Sequence, residues 1–137
     1  MYVVIDTNVF VMTITSKSPY HQVFLDLIAR KYTLLVSTEV VLEYEEVITL
    51  KYGEDTTRFF LALLSRLPNV IHVEPSYQWQ LISKDPDDNK YVDCAVAGQA
   101  DFLVSEDRHF DVLAEVDFPK VKVLKLDDFF DRLTRDS

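Results

Sequence analysis

Tyr2-Val3-Val4-Ile5-Asp6-Thr7-Asn8 sets four strand-forming residues directly against a carboxylate. A near-continuous apolar run, in place of strict alternation, suits a strand covered on both faces, as in a parallel sheet. The same grammar recurs outward from it. Thr33–Val36 runs into Ser37 and Thr38, Val70–Val73 into Glu74, and Asp101–Val104 into Ser105, Glu106 and Asp107; Val121–Leu124 is a fifth apolar run. Helix-like segments lie between them. Ser18–Lys31 has a capping serine with Pro19 at the first helical position. Ser37 to Tyr52 is stopped by Gly53, and Thr56 to Leu67 by Pro68. A run through Tyr91, Val92, Ala95, Val96 and Ala97 ends at Gly98, and shorter segments cover Asp107–Glu115 and Asp127–Thr134. Strand–helix alternation predicts an α/β sandwich with a mostly parallel sheet and right-handed crossovers, though not the strand order.

With 137 residues the chain suits one domain, residues 1–137, and its 48% apolar content excludes disorder. Two glycines, Gly53 and Gly98, exclude a phosphate-cradling glycine loop, and Cys94 alone excludes a disulfide framework or a cysteine zinc site. No basic lead-in, cleavage site or run of the roughly 18 apolar residues needed to span a bilayer is visible, so a cytoplasmic protein without a membrane partner is expected. Fourteen basic against 23 acidic side chains give a net charge of −9. Such a surface repels nucleic acid unless the acids are gathered in one place and neutralised by cations.

Ligands of open α/β sheets bind beyond the carboxyl ends of strands, where the strand order reverses. The residues following each strand are therefore the first candidates, and acids crowd them without adjoining basic partners. Asp6 behind four buried residues is costly unless paired, and reads as a helix cap, a cation ligand or both. Asp107, opening Asp107-Arg108-His109-Phe110, carries the same choice. On the helix after Ser37, the residues Val40, Val41, Tyr44, Val47 and Ile48 form one apolar stripe. Glu43 borders that stripe on the Val47 side, where an acid can reach over the end of the sheet. Glu39 and Glu46 lie farther out, and Glu45 flanks the opposite edge. Asp85, Asp87, Asp88 and Asp93 place four acids within nine residues, answered by Lys90 alone. Asn89 and Asp93 share a helical face, and Asp85-Pro86 is turn chemistry. Such a charge run is a solvated loop unless other acids converge on it. His21, His72 and His109 have no metal-ligand spacing with one another or with Cys94. His109 faces either a substrate phosphate or the surface, and Tyr77 and Trp79 read as packing residues.

Val4-Ile5-Asp6-Thr7-Asn8-Val9 resembles the opening of PIN-domain proteins, metal-dependent ribonucleases that include VapC-like toxins. Glu43 in Glu39-Val40-Val41-Leu42-Glu43-Tyr44 resembles the family's second acid. Asp85-Pro86-Asp87-Asp88-Asn89-Lys90 and Phe102-Leu103-Val104-Ser105-Glu106-Asp107-Arg108-His109-Phe110 resemble its third and fourth acidic regions. The resemblance covers nearly the whole chain. It implies a three-layer sandwich around a five-stranded sheet of order 3-2-1-4-5, which sets strands one and four side by side and brings Asp6 to Asp107. Asn89 stands where the family's third acid usually does, which passes that role to Asp93, one turn along, or to neighbouring Asp88.

The resemblance further implies an endoribonuclease using Mg²⁺ or Mn²⁺. Asp6, Glu43, Asp88 or Asp93, and Asp107 would surround one or two ions, with Asn8, Asn89 and Ser105 orienting the acids. Lys17, Lys90 and Arg108 would touch the RNA backbone. A VapC-like protein would be the toxin of a toxin–antitoxin pair, bound by an antitoxin and dimerising with itself. The alternative is a degenerate PIN module that binds RNA or protein without cleaving. A haloacid-dehalogenase-type phosphotransferase needs a second aspartate where Asn8 stands. A phospho-receiver domain needs paired acids after strand one, which Asp6-Thr7-Asn8 lacks, although Lys125 could serve as its lysine.

Overall fold

Five parallel strands form the sheet of the computed structural model, which describes residues 1–135. They are β1 (Tyr2–Ile5), β2 (Thr33–Val36), β3 (Val70–His72), β4 (Phe102–Val104) and β5 (Val123–Leu124), in the order β3-β2-β1-β4-β5. Val3 pairs with Leu34 on one side, and Val4 and Ile5 pair with Leu103 and Val104 on the other. Val3, Val4 and Ile5 are fully buried, as continuous apolarity in a central parallel strand requires.

Helices α1 (Thr7–Thr13), α2 (His21–Ile28), α3 (Thr38–Tyr52), α4 (Glu54–Arg66), α5 (Asn89–Ala97) and α6 (Leu126–Arg135) flank the sheet. The α1–α3 contact centres on Phe10, stacked at 4.5 Å on Tyr44, whose hydroxyl donates to the Ile5 carbonyl at 2.5 Å. That hydrogen bond ties α3 to the very end of β1. No helix among the described residues is long and apolar enough to cross a membrane.

Three local readings change in detail. The helix expected from Ser18 begins at His21, because Ser18 closes a turn first: its hydroxyl accepts from the Tyr20 N–H and its carbonyl from the His21 N–H. Asp107–Glu115 forms not an α-helix but a tighter 3-10 segment over Arg108–Glu115. Gly53 ends α3 as expected, with φ +91°, a conformation that favours glycine, and α4 starts one residue later. Gly98 ends α5 at an ordinary φ of −89°, so its lack of a side chain serves packing: a Cβ there would sit 2.6 Å from Leu35 Cδ1.

Candidate metal centre

Because β1 and β4 are neighbours in register, their carboxyl ends deliver Asp6 and Ser105 side by side. The Asp6 N–H donates to the Val104 carbonyl at 3.0 Å, and the Ser105 hydroxyl donates to Asp6 Oδ2 at 2.7 Å. Asp6 stands at the N-cap position of α1, yet its side chain makes no capping hydrogen bond. Ser105 Oγ in turn accepts from the Asp107 N–H at 3.0 Å, fixing the turn that follows β4. Asp107 then caps the 3-10 segment, accepting from the His109 N–H at 2.9 Å.

That turn carries the His109 ring back over the acids. Its Nδ1 lies 3.3 Å from Asp107 Oδ1, 3.3 Å from Asp88 Oδ2 and 4.0 Å from Asp85 Oδ2. Asp88 arrives on a 3-10 turn, Pro86–Asp88, opened by Asp85, whose carboxylate accepts from the Asp87 N–H at 3.2 Å. Three segments remote in sequence, the end of β1, the 3-10 turn at Pro86–Asp88 and the end of β4 with the 3-10 segment that follows it, thus meet at one end of the sheet.

The electrostatics record the same convergence. Burial pushes the Asp6 carboxyl above the usual carboxylate range, and the Asp107 charge adds to this; the Ser105 hydrogen bond and nearby backbone N–H groups oppose it. Asp88 is pushed up to about 6, first by burial and then by the charges of Asp107, Asp85 and Asp6, with His109 opposing. Carboxylates held this close, without a lysine or arginine among them in the described residues, form a hard oxygen donor set. Asp85, Asp88 and His109 present ligand atoms within 4.8 Å of one another, a group able to hold a metal ion.

Glu43 is half-buried on α3, while Glu45 and Glu46 on the same helix are exposed. Its Oε2 lies 3.4 Å from Lys90 Nζ, which is also 3.6 Å from Asp87 Oδ1. The Tyr91 hydroxyl shares a 2.6 Å hydrogen bond with Thr7, the residue after Asp6. Burial raises that phenol's pKa, and the charges of Asp6 and Glu43 both add to the effect, so both acids act on Tyr91.

Asp93 is placed elsewhere. It is buried, its Oδ1 accepts from the Trp79 N–H at 3.1 Å, and the charge that raises its pKa after burial is that of Glu39. It lines a cleft of about 460 Å³ with Glu39, Gln78, Gln80, Asn89 and Lys90. Five residues beyond Asp88 is about 140° around a helix, enough to turn Asp93 away from Asp107. Asn89 is occupied structurally, its amide accepting from the Ile82 N–H and donating to the Ile82 carbonyl, both at 2.9 Å. Asn8, Lys17 and Arg108 are exposed, and among the described residues no ion pair joins either cation to the acids. Asp85 and His109 were not among the acids and ligands expected of the site. The signal for His109 was its two-residue spacing from a capping aspartate, which folds the chain back on that same carboxylate.

The family described as PIN domain matches residues 2–109. No curated protein matches the chain in sequence. Among solved structures, VapBC2 of Rickettsia felis, bound to a DNA fragment from its promoter, is similar with a TM-score of 0.62. It is 20% identical, and the alignment covers 91% of this chain and 98% of that one. A VapC toxin of Mycobacterium tuberculosis that cleaves the sarcin–ricin loop aligns with a TM-score of 0.58 at 18% identity, over 88% and 98% of the two chains. The PIN domain endonuclease Utp24 gives 0.52 at 14% identity, over 90% and 84%. At these identities the likeness is one of fold.

Proposed function

Since the chain belongs to the PIN domain family, we propose that it is a divalent-metal-dependent endoribonuclease and the toxin of a toxin–antitoxin pair. The observation carrying this reading is the meeting of Asp6, Asp88 and Asp107 from three distant segments, with Asp88 driven up to about 6 by burial and by its fellow acids. Buried like charges are unfavourable by themselves, and a cation reverses the sign of their field.

The donor chemistry fits Mg²⁺ or Mn²⁺, both of which prefer carboxylate oxygens and retain water. Asp6, Asp88 and Asp107 would hold the ion, with Glu43 contributing from α3. Bound there, the ion supplies Lewis-acid polarisation of a phosphodiester and a water of lowered pKa. The remaining work belongs to the chain. Ser105 holds the Asp6 carboxylate at 2.7 Å and is itself oriented by the Asp107 N–H. Lys90, almost buried between Glu43 and Asp87, carries a positive charge beside these two acids and suits a phosphate oxygen of the substrate. With a net charge of −9, RNA binding rests on this local field and not on the surface at large.

An antitoxin that covers the acids, self-association into a homodimer, a one-domain organisation and a cytoplasmic setting complete the reading; the fold likeness to VapBC2 supports the first. The test is cleavage of a single-stranded RNA pool with Mn²⁺ or Mg²⁺, by the native chain and by Asp6→Asn. Cleavage that needs the metal and disappears in the variant is the expected result. Undiminished activity in Asp6→Asn refutes the assignment, and no Mn²⁺ binding by the native chain favours the non-catalytic module instead.

A further inference from the structure

We infer that His109 is a nitrogen ligand of the cation at this centre, and that it tilts the centre toward transition-series ions such as Mn²⁺ and away from Mg²⁺. The inference rests on the metal-centre reading above and deepens it, since four acids alone would give an all-oxygen site.

The geometry is that of a donor and not of a bystander. One ring atom, Nδ1, faces both Asp88 and Asp107 at 3.3 Å, the two carboxylates contributed by the two 3-10 elements. With Asp85 it forms the group whose ligand atoms fall within 4.8 Å of one another. Its backbone is pinned by the hydrogen bond from the His109 N–H to Asp107, so the ring is delivered by the same turn that positions a ligand carboxylate. In the metal-free chain Nδ1 donates to Asp88 Oδ2 at 3.3 Å; a cation seated among the carboxylates would displace that proton, and Nε2, which makes no hydrogen bond among the described residues, would carry it once the ring changes tautomer. Imidazole nitrogen adds little to Mg²⁺, which keeps oxygen and water, and more to the later divalent ions in the usual order of affinities.

Echo-modulation spectroscopy of the Mn²⁺-loaded protein, paired with competition titrations against Mg²⁺, tests this directly. The native chain should show nitrogen-14 coupling from a directly bound imidazole, and His109→Asn, whose amide still hydrogen-bonds the carboxylates, should lose it. The preference for Mn²⁺ over Mg²⁺ should fall about tenfold in that variant while Mg²⁺ affinity changes little. Mn²⁺ binding without nitrogen coupling in the native chain, or an unchanged preference in the variant, overturns the nitrogen ligand and leaves the carboxylate centre standing. No Mn²⁺ binding by the native chain overturns both.

Discussion

Replacing Asp88 with asparagine should make the metal-free protein more stable at neutral pH. The carboxyl is raised from 3.8 to about 6 by burial and by Asp107, Asp85 and Asp6. At roughly 1.4 kcal/mol per pH unit, that shift sets a ceiling of about 3 kcal/mol on the destabilisation from ionising it in the folded state. The side chain keeps 12% of its surface exposed, and solvent screening there reduces the figure to about 1–2 kcal/mol. The sign follows from the folded value lying above the unfolded one. The favourable contribution of the protonated group is complete below about 3.8 and is lost as pH rises through about 6. Asparagine has no such loss. Thermal melts in EDTA should therefore put Asp88→Asn above the native chain by roughly 3–8 °C at pH 7.5, with the gap closing by pH 4. Millimolar Mn²⁺ should reverse the order, because only the native centre gains the full binding linkage. A variant that melts level with or below the native chain in EDTA at every pH would show that Asp88 carries no repulsive burden, and the reasoning would fail.

Tyr44→Phe removes the buried hydroxyl that donates to the Ile5 carbonyl, and urea melts should register a loss of about 1–2 kcal/mol; a midpoint matching the native chain would mean that α3 is not tied to β1 this way. Gly98→Ala forces a Cβ to within 2.6 Å of Leu35 Cδ1 in a packed core, and should lower stability by about 1–3 kcal/mol although its backbone angle suits alanine. Lys90→Met strips Glu43 of its counter-charge, so calorimetric Mn²⁺ affinity should rise several-fold, whereas weaker binding would place Glu43 outside the cation's reach.

The parts of the site legible in the sequence were those fixed by strand ends. Asp6 and Asp107 could be named because a carboxylate behind a buried run has few places to go, and the order β3-β2-β1-β4-β5, which came from family resemblance and not from periodicity, makes them neighbours. Glu43 could be placed because the burial of Val40, Tyr44 and Ile48 fixes the phase of α3. The choice between Asp88 and Asp93 was not legible. It depends on where a 3-10 turn passes into an α-helix, a change of about 20° per residue that no spacing rule carries. The pull of Asn89 on Ile82, which sets that turn, is invisible until the loop is folded. His109 was hidden for a related reason: its role comes from an aspartate cap closing back on itself, not from a ligand spacing.

What the fold withholds from its acids is as informative as what it gives them. Asp6 receives a serine hydroxyl, Asp107 a backbone N–H, and Asp88 an imidazole; among the described residues none of the three has a lysine or arginine partner. A guanidinium in that position would hold the carboxylates ionised and stable, and would also occupy the space a cation needs. Hydroxyl and N–H donors orient a carboxylate while leaving its charge uncompensated. The lysine that is present, Lys90, is paired to Glu43 and Asp87 at the border of the cluster, 3.4 and 3.6 Å away, and not at its centre. The repulsion left over is offset by the fully buried Val3-Val4-Ile5 and Leu103-Val104 segments that carry Asp6 and Ser105 into place. Three carboxylates kept on one end of the sheet without a lysine or arginine partner are a cost to the folded state, and a divalent ion bound among them would offset that cost.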